Sequence, residues 1–243
     1  MQKWRLIKTI NTSGQMQMAI DEAIATLNKT PTLRFYKWTP SCVSIGYFQD
    51  LEKEINVEKC YEQGIDFVRR YTGGGAVFHE KELTYSISLP EDLVSKDIMQ
   101  SYRKLCNILV KGFYKLGLVT EFKEINDIIM NGKKISGNAQ TRKNGILLQH
   151  GTVLLEVDVD KMFSLLKVPN EKIRDKMIES VKERVTGINM GYDLVRQKMI
   201  EAFEEAFNIK VKETKLSKEE EELAKKLYRE KYSTKEWNYG NKL

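Results

Sequence analysis

The sequence predicts an α+β fold, a mixed and largely antiparallel sheet flanked by helices. Three observations carry this expectation: strand-like segments crowd the first ninety residues, two Asn-Gly pairs lie between short apolar runs in the middle, and helical periodicity dominates from Asp158 onward. Strict alternation of strand and helix, the mark of a doubly wound parallel sheet, is missing.

Each element has its own signal. After Ser13, residues Met16, Ile20, Ala23, Ile24 and Leu27 recur at helical spacing, which predicts an amphipathic helix to about Asn28. Leu33–Trp38, Val43–Tyr47, Phe67–Arg70 and the alternating Leu83–Leu89 are rich in aromatic and β-branched residues and are bounded by Pro, Gly or Ser, so they read as strands. Between Ile98 and Leu116 the positions Tyr102, Leu105, Leu109 and Phe113 make a helical stripe, with Gly117 where a C-terminal cap belongs. Asn131-Gly132 and Asn144-Gly145 predict two hairpins, because both central residues of a tight hairpin turn need positive φ. Helices follow at Asp160–Leu166, about Glu171–Glu183 and about Tyr192–Phe207. A strand at Ile209–Lys212 then leads to a helix opened by Ser217 and Glu220 at capping-box spacing. With no repeat and no Pro/Ser linker, residues 1–243 are expected to form one domain, of which about 209–243 is a C-terminal strand and helix.

Composition removes several function classes. No apolar run approaches the roughly 20 residues that cross a bilayer, so no membrane span is expected. Met1–Thr9 has no apolar core of a signal peptide, which makes the cytoplasm the expected compartment. Lys and Arg total 40 against 34 Asp and Glu, a net charge of +6 that favours an acidic partner without naming it. Those cations alternate with Glu rather than cluster on one face, which argues against nucleic acid. Three widely spaced cysteines, Cys42, Cys60 and Cys106, form neither a disulfide framework nor a metal pattern, and two histidines are too few for a multi-histidine metal site.

Two segments point to chemistry. Arg69-Arg70-Tyr71-Thr72-Gly73-Gly74-Gly75-Ala76-Val77-Phe78-His79 follows a predicted strand; its glycines let backbone approach a ligand, and its arginines offer forked donors to phosphate or carboxylate. It is neither a Walker loop nor a dinucleotide fingerprint, and as composition alone it also reads as a flexible glycine turn. The second runs from Asn126-Asp127 through Gly132-Lys133-Lys134-Ile135-Ser136-Gly137-Asn138-Ala139-Gln140. Either one lysine of the returning strand points inward, where it needs an anion, or both reach solvent. His79 and His150 line a site or serve as structural hydrogen-bonding groups. Val43, Ile45, Val77 and Leu147 are candidates for an apolar slot and are equally suited to a core.

Together with Ser180–Val185, these segments resemble the catalytic domain of the lipoate-protein ligases in the biotin and lipoate ligase superfamily, in matching order over nearly the whole chain. The match extends from Leu33–Tyr36 and Ser44–Gln49 to Tyr232–Asn238. What the resemblance implies is ATP-dependent activation of lipoate, or octanoate as an analogue, to an acyl-adenylate, followed by transfer to a lysine. The acceptor would be a lipoyl domain of a 2-oxoacid dehydrogenase complex or a glycine cleavage carrier protein. It assigns nucleotide and acyl-phosphate contacts to Arg70, Gly75, Ala76, Val77 and Phe78, and the catalytic role and the carboxylate and α-phosphate to Lys134; on the residues' own chemistry Gly74 and His79 are expected beside the nucleotide, and Val43, Ile45 and His150 along the lipoyl chain. Mg2+ is expected on the ATP phosphates, with Asp127 as a candidate ligand.

Two departures accompany the resemblance. Long ligases carry a C-terminal accessory domain for which a chain ending at Leu243 leaves no room, which implies a separate accessory protein. His79–Ser86 and Ala139–Arg142 also resemble the superfamily's cysteine-dependent octanoyltransferases, which move an acyl group between carrier proteins through a thioester. Their nucleophilic cysteine precedes the segment equivalent to Asn126–Met130, where this chain has none.

Overall fold

The computed structural model describes residues 4–27, 30–123, 125–167 and 174–240. In chain order the elements are β1 (Trp4–Ile7), α1 (Gly14–Leu27), β2 (Thr32–Tyr36), β3 (Cys42–Ile45), α2 (Leu51–Glu54), α3 (Val57–Glu62), β4 (Asp66–Arg69), β5 (Val77–His79) and β6 (Glu82–Pro90). There follow α4 (Ile98–Tyr114), β7 (Glu121–Lys123), β8 (Asp127–Met130), β9 (Lys133–Lys143), β10 (Ile146–Leu154), α5 (Val159–Leu165), α6 (Arg174–Arg184) and α7 (Tyr192–Phe207). The last are β11 (Val211–Thr214), α8 (Lys218–Leu227), a π-helical turn at Tyr228–Tyr232 and α9 (Lys235–Tyr239). The expected helix ends at Asn28 and Glu171 lie outside the described residues.

The strands form an eight-stranded sheet, β11-β1-β2-β6-β10-β9-β8-β7, and a three-stranded sheet, β4-β3-β5. In the large sheet β11, β1 and β2 run parallel, and every later neighbour is antiparallel. Both Asn-Gly pairs are its hairpin turns: Asn131 and Gly132 have φ of 51° and 76°, Asn144 and Gly145 53° and 77°. Ser217 and Glu220 close the capping box that opens α8.

Strand alternation divides the large sheet chemically. On one face Leu33 and Phe35 of β2, Leu83, Tyr85, Ile87 and Leu89 of β6, and Leu147 and Val153 of β10 join Leu105, Leu109 and Phe113 of α4 and Met199 and Phe203 of α7 in the main core. The other face meets α1 with polar groups. There Arg34 pairs with Asp21, which also accepts hydrogen bonds from Ser86 Oγ at 2.7 Å and Tyr36 OH at 3.1 Å and lies 3.4 Å from His150 Nδ1. Every member is buried, so each donor needs its acceptor.

Two expectations follow. Phe203 is fully buried in the main core, and Phe203→Ala should cost about 3–5 kcal/mol in urea unfolding. The second concerns pH. Burial lowers the pKa of His150 from 6.5, with Asp21 only partly offsetting it, so the unfolded chain takes up that proton more readily than the folded one. Stability should therefore begin to fall as pH drops below 6.5. Burial alone would raise the pKa of Asp21, but Arg34, His150 and Ser86 outweigh it and hold the carboxyl below 3.8, so its contribution is lost only as pH falls past that value. Urea midpoints against pH should show the first decline in the native chain and not in His150→Gln.

Candidate active site

A cleft of about 280 Å³ opens where the small sheet faces the large one. The small sheet contributes Ser44 from β3, Val77, Phe78 and His79 from β5, and Arg70, Gly74, Gly75 and Ala76 from the intervening loop. The large sheet contributes Glu82 and Thr84 from β6, Lys134, Gly137 and Asn138 from β9, and His150 and Thr152 from β10. Trp38, Leu154, Met162 and Val185 add apolar wall.

The glycine loop is shaped by Arg70. Its guanidinium donates to the carbonyls of Gly73 at 2.8 Å and Gly75 at 2.8 Å, and to the Ser44 carbonyl at 3.2 Å and hydroxyl at 3.1 Å. Among the described residues it meets no carboxylate, and burial lowers its pKa to about 10, which leaves it charged. Gly74 takes φ +95° and presses on Gly46 so closely that a Cβ there would lie 1.9 Å from the Gly74 carbonyl oxygen. Arg69 points elsewhere: it donates to the Tyr47 carbonyl at 2.7 Å, the Trp237 carbonyl at 2.8 Å and the Asn238 carbonyl at 3.0 Å, tying α9 to the loop after β3. One arginine of the pair thus lines the cleft and the other staples the C-terminal segment.

Of the two lysines, Lys134 lines the cleft and Lys133 reaches out to the Lys182 carbonyl. Lys134 Nζ sits 2.7 Å from Asp127 Oδ1, an ion pair by distance that lacks hydrogen-bond alignment. A Cβ on Gly137 would come within 2.9 Å of Lys134 Cε and Nζ, so glycine makes room for the lysine. Val185 bridges to Lys134, and the Thr186 N–H donates to its carbonyl at 3.0 Å; the Ser180–Val185 segment therefore abuts the same residue. Asp127, the expected magnesium ligand, is occupied by Lys134, and no group of three or more His, Cys, Asp or Glu that could hold a metal occurs among the described residues.

His150 lines the cleft and meets Thr72 Oγ1 at 2.7 Å. Val43 and Ile45, expected as walls of the acyl slot, are not part of it. They point to the opposite side of β3, into a separate apolar cluster with Leu51, Ile55 and Leu165, and Leu147 faces the main core. Alternation along β3 instead turns Ser44 into the cleft, a polar residue between two aliphatic ones that sequence reading passed over. Trp38, Glu82 and Thr84 also line the cleft without having been singled out, whereas Asn138 belongs to the segment that points to chemistry. All three cysteines are buried and none lines the cleft; burial raises Cys60 to about 11, Cys106 to about 12, and Cys42 well above its usual value.

Residues 13–208 match the family model described as the lipoyl protein ligase A/B catalytic domain. Octanoyltransferase LipM of Clostridioides difficile is 39% identical, over 98% of this chain and 99% of its own length, and that of Bacillus subtilis 36% identical over 97% and 98%. A solved structure from Thermoplasma acidophilum, described as a bi-partite lipoate protein ligase of an archaeal lipoylation system and its E2 lipoyl domain, superimposes with TM-score 0.93. It is 36% identical and covers 99% of this chain and 97% of its own. The expected ATP-dependent ligase is thereby corrected: curated relatives that align end to end at 34–39% identity are octanoyltransferases, which favours the acyl-transfer alternative. The model match, these full-length relatives and the superposition place the chain in the lipoyl protein ligase A/B catalytic domain family.

Proposed function

We propose that this chain transfers an octanoyl or lipoyl group from a carrier-bound thioester to the lysine of a lipoyl domain. The observation that carries the proposal is a cleft with an apolar wall, made by Trp38, Val77, Phe78 and Met162, and two cations, Arg70 and Lys134, in a chain whose curated relatives are octanoyltransferases. An acyl chain of eight carbons suits such a wall, and a thioester already carries the activation that a free acid would draw from ATP.

Each polar group then has a task. Attack on the acyl carbonyl places negative charge on its oxygen, and an ammonium held at the cleft, such as Lys134, stabilises that charge. The ion pair with Asp127 restrains Lys134 at the cleft. Arg70 and the Gly74–Gly75 backbone supply positive potential for the phosphate of a pantetheine arm. The net charge of +6 suits an acidic lipoyl domain as acceptor.

Mass spectrometry of an apo lipoyl domain incubated with this chain and octanoyl-carrier protein should show the gain of one octanoyl group. A gain that appears only with free octanoate or lipoate and Mg-ATP would overturn the proposal. Lys134→Ala should slow transfer about 10²- to 10³-fold while binding of the lipoyl domain persists. Gly137→Ala, which displaces the lysine without removing it, should lose on the order of 10²-fold in turnover with the urea midpoint little changed.

A further inference from the structure

Within the cleft a hydroxyl, an imidazole and a carboxylate stand in line. Ser44 Oγ is 2.7 Å from His79 Nε2, and His79 Nδ1 is 2.6 Å from Glu82 Oε1. All three residues line the cavity although they are buried from bulk solvent. We propose that Ser44 is a catalytic nucleophile that carries the acyl group as an ester between thioester donor and lysine acceptor, with His79 as its base and Glu82 orienting the imidazole. The proposal rests on the acyl-transfer reading of this cleft.

The surrounding hydrogen bonds suit the proton positions this role needs. Glu82 Oε1 accepts from Thr84 Oγ1 at 2.6 Å and faces His79 Nδ1; in the tautomer with the proton on Nδ1, Nε2 is free to accept from Ser44. Arg70 Nη1 donates to Ser44 Oγ at 3.1 Å, which turns the serine's own proton toward His79 Nε2 and favours the alkoxide as it forms. Trp38 stacks on the imidazole, with centroids 4.0 Å apart and planes 16° from parallel, and its indole N–H is anchored on Thr84 Oγ1 at 2.8 Å. Glu82 Oε2 is buried with no hydrogen-bond partner among the described residues, leaving negative charge that an imidazolium would balance. The second constellation, Thr72–His150–Asp21, is weaker: Thr72 does not line the cleft, and its imidazole stands 3.4 Å from the carboxylate.

The chemistry balances without another reactant. Ser44 Oγ bonds to the thioester carbonyl carbon while its proton passes to His79 Nε2; the C–S bond then breaks and that proton leaves on the thiol. The neutral lysine amine of the acceptor next bonds to the ester carbon and gives a proton to His79 Nε2, which returns it to Ser44 Oγ as the C–O bond breaks. A serine so placed takes a part that the three thiols, none of which lines the cleft, do not.

The probe is p-nitrophenyl octanoate, with no lipoyl domain present. The native chain should release a burst of one nitrophenolate per chain and show one octanoyl ester on the peptide that contains Ser44. Ser44→Ala should lose the burst and slow transfer to the lipoyl domain at least about 10³-fold. Ser44→Cys, which keeps a nucleophile of similar size, should hold the acyl group as a hydroxylamine-sensitive thioester. Transfer by Ser44→Ala at the native rate, or an adduct on a cysteine of the native chain, would overturn the nucleophile and leave the transferase intact. A Ser44 ester in a chain that acylates no lipoyl domain would support the nucleophile and overturn the transferase.

Discussion

Arg70 is the group on which the cleft depends. A guanidinium taken out of water ordinarily seeks a carboxylate; this one is spent on backbone carbonyls and one hydroxyl, all from the small sheet and the loop it spans. Two consequences follow from that single choice. The loop is held in a shape that only glycine tolerates, since Gly74 is left-handed and its carbonyl lies against Gly46. The positive charge is left unneutralised, so the cleft holds a standing potential for an anion. A carboxylate partner would have stabilised the arginine and abolished the site.

The large sheet answers with the same economy. Alternation along β6 and β10 gives one face to the main core and the other to small polar groups, and this second face supplies Glu82, Thr84, His150 and Thr152 to the cleft. The β8–β9 ladder shifts register between Ile128 and Ile129, next to the Ile129–Lys134 pair, and Gly137 clears space for that side chain. Val185 and Thr186 then cover it from a distant part of the chain. Each cation is therefore positioned by backbone, so a change at the glycine beside it reaches the chemistry.

How much of this was legible in the sequence varied with the range of the interaction. The two hairpins, the capping box at Ser217 and the stripe of α4 are local, and their residues announced them. β1 was missed because four residues that pair with β2 and the remote β11 carry no period of their own. In the site, the glycine loop and Lys134 were visible as motifs, whereas Val43 and Ile45 were placed in the cleft and in fact turn away from it. The facing of a strand is set by what its sheet packs against, which lies elsewhere in the chain. Ser44 did carry a signal, a hydroxyl between aliphatic residues in a strand, but its meaning needed His79 brought beside it by the β3–β5 pairing.

Similar scaffolds carry an octanoyltransferase and a lipoate protein ligase among the relatives; on the acyl-transfer reading proposed for this chain, its two cations and apolar wall would stabilise a transferring acyl group whatever the leaving group is. What separates the members is how the acyl carbon is activated and what holds it between donor and acceptor. The relatives align over 271 positions against a chain of 243 residues, so they carry segments that this chain lacks. The segment before β8, where the resemblance places a cysteine, has none here. The hydroxyl, imidazole and carboxylate at the other side of the cleft come from β3, β5 and β6, elements that the fold needs in any case. On the proposed reading, a covalent relay on this scaffold takes one hydroxyl at one strand position, set between the His79 imidazole and the Arg70 guanidinium.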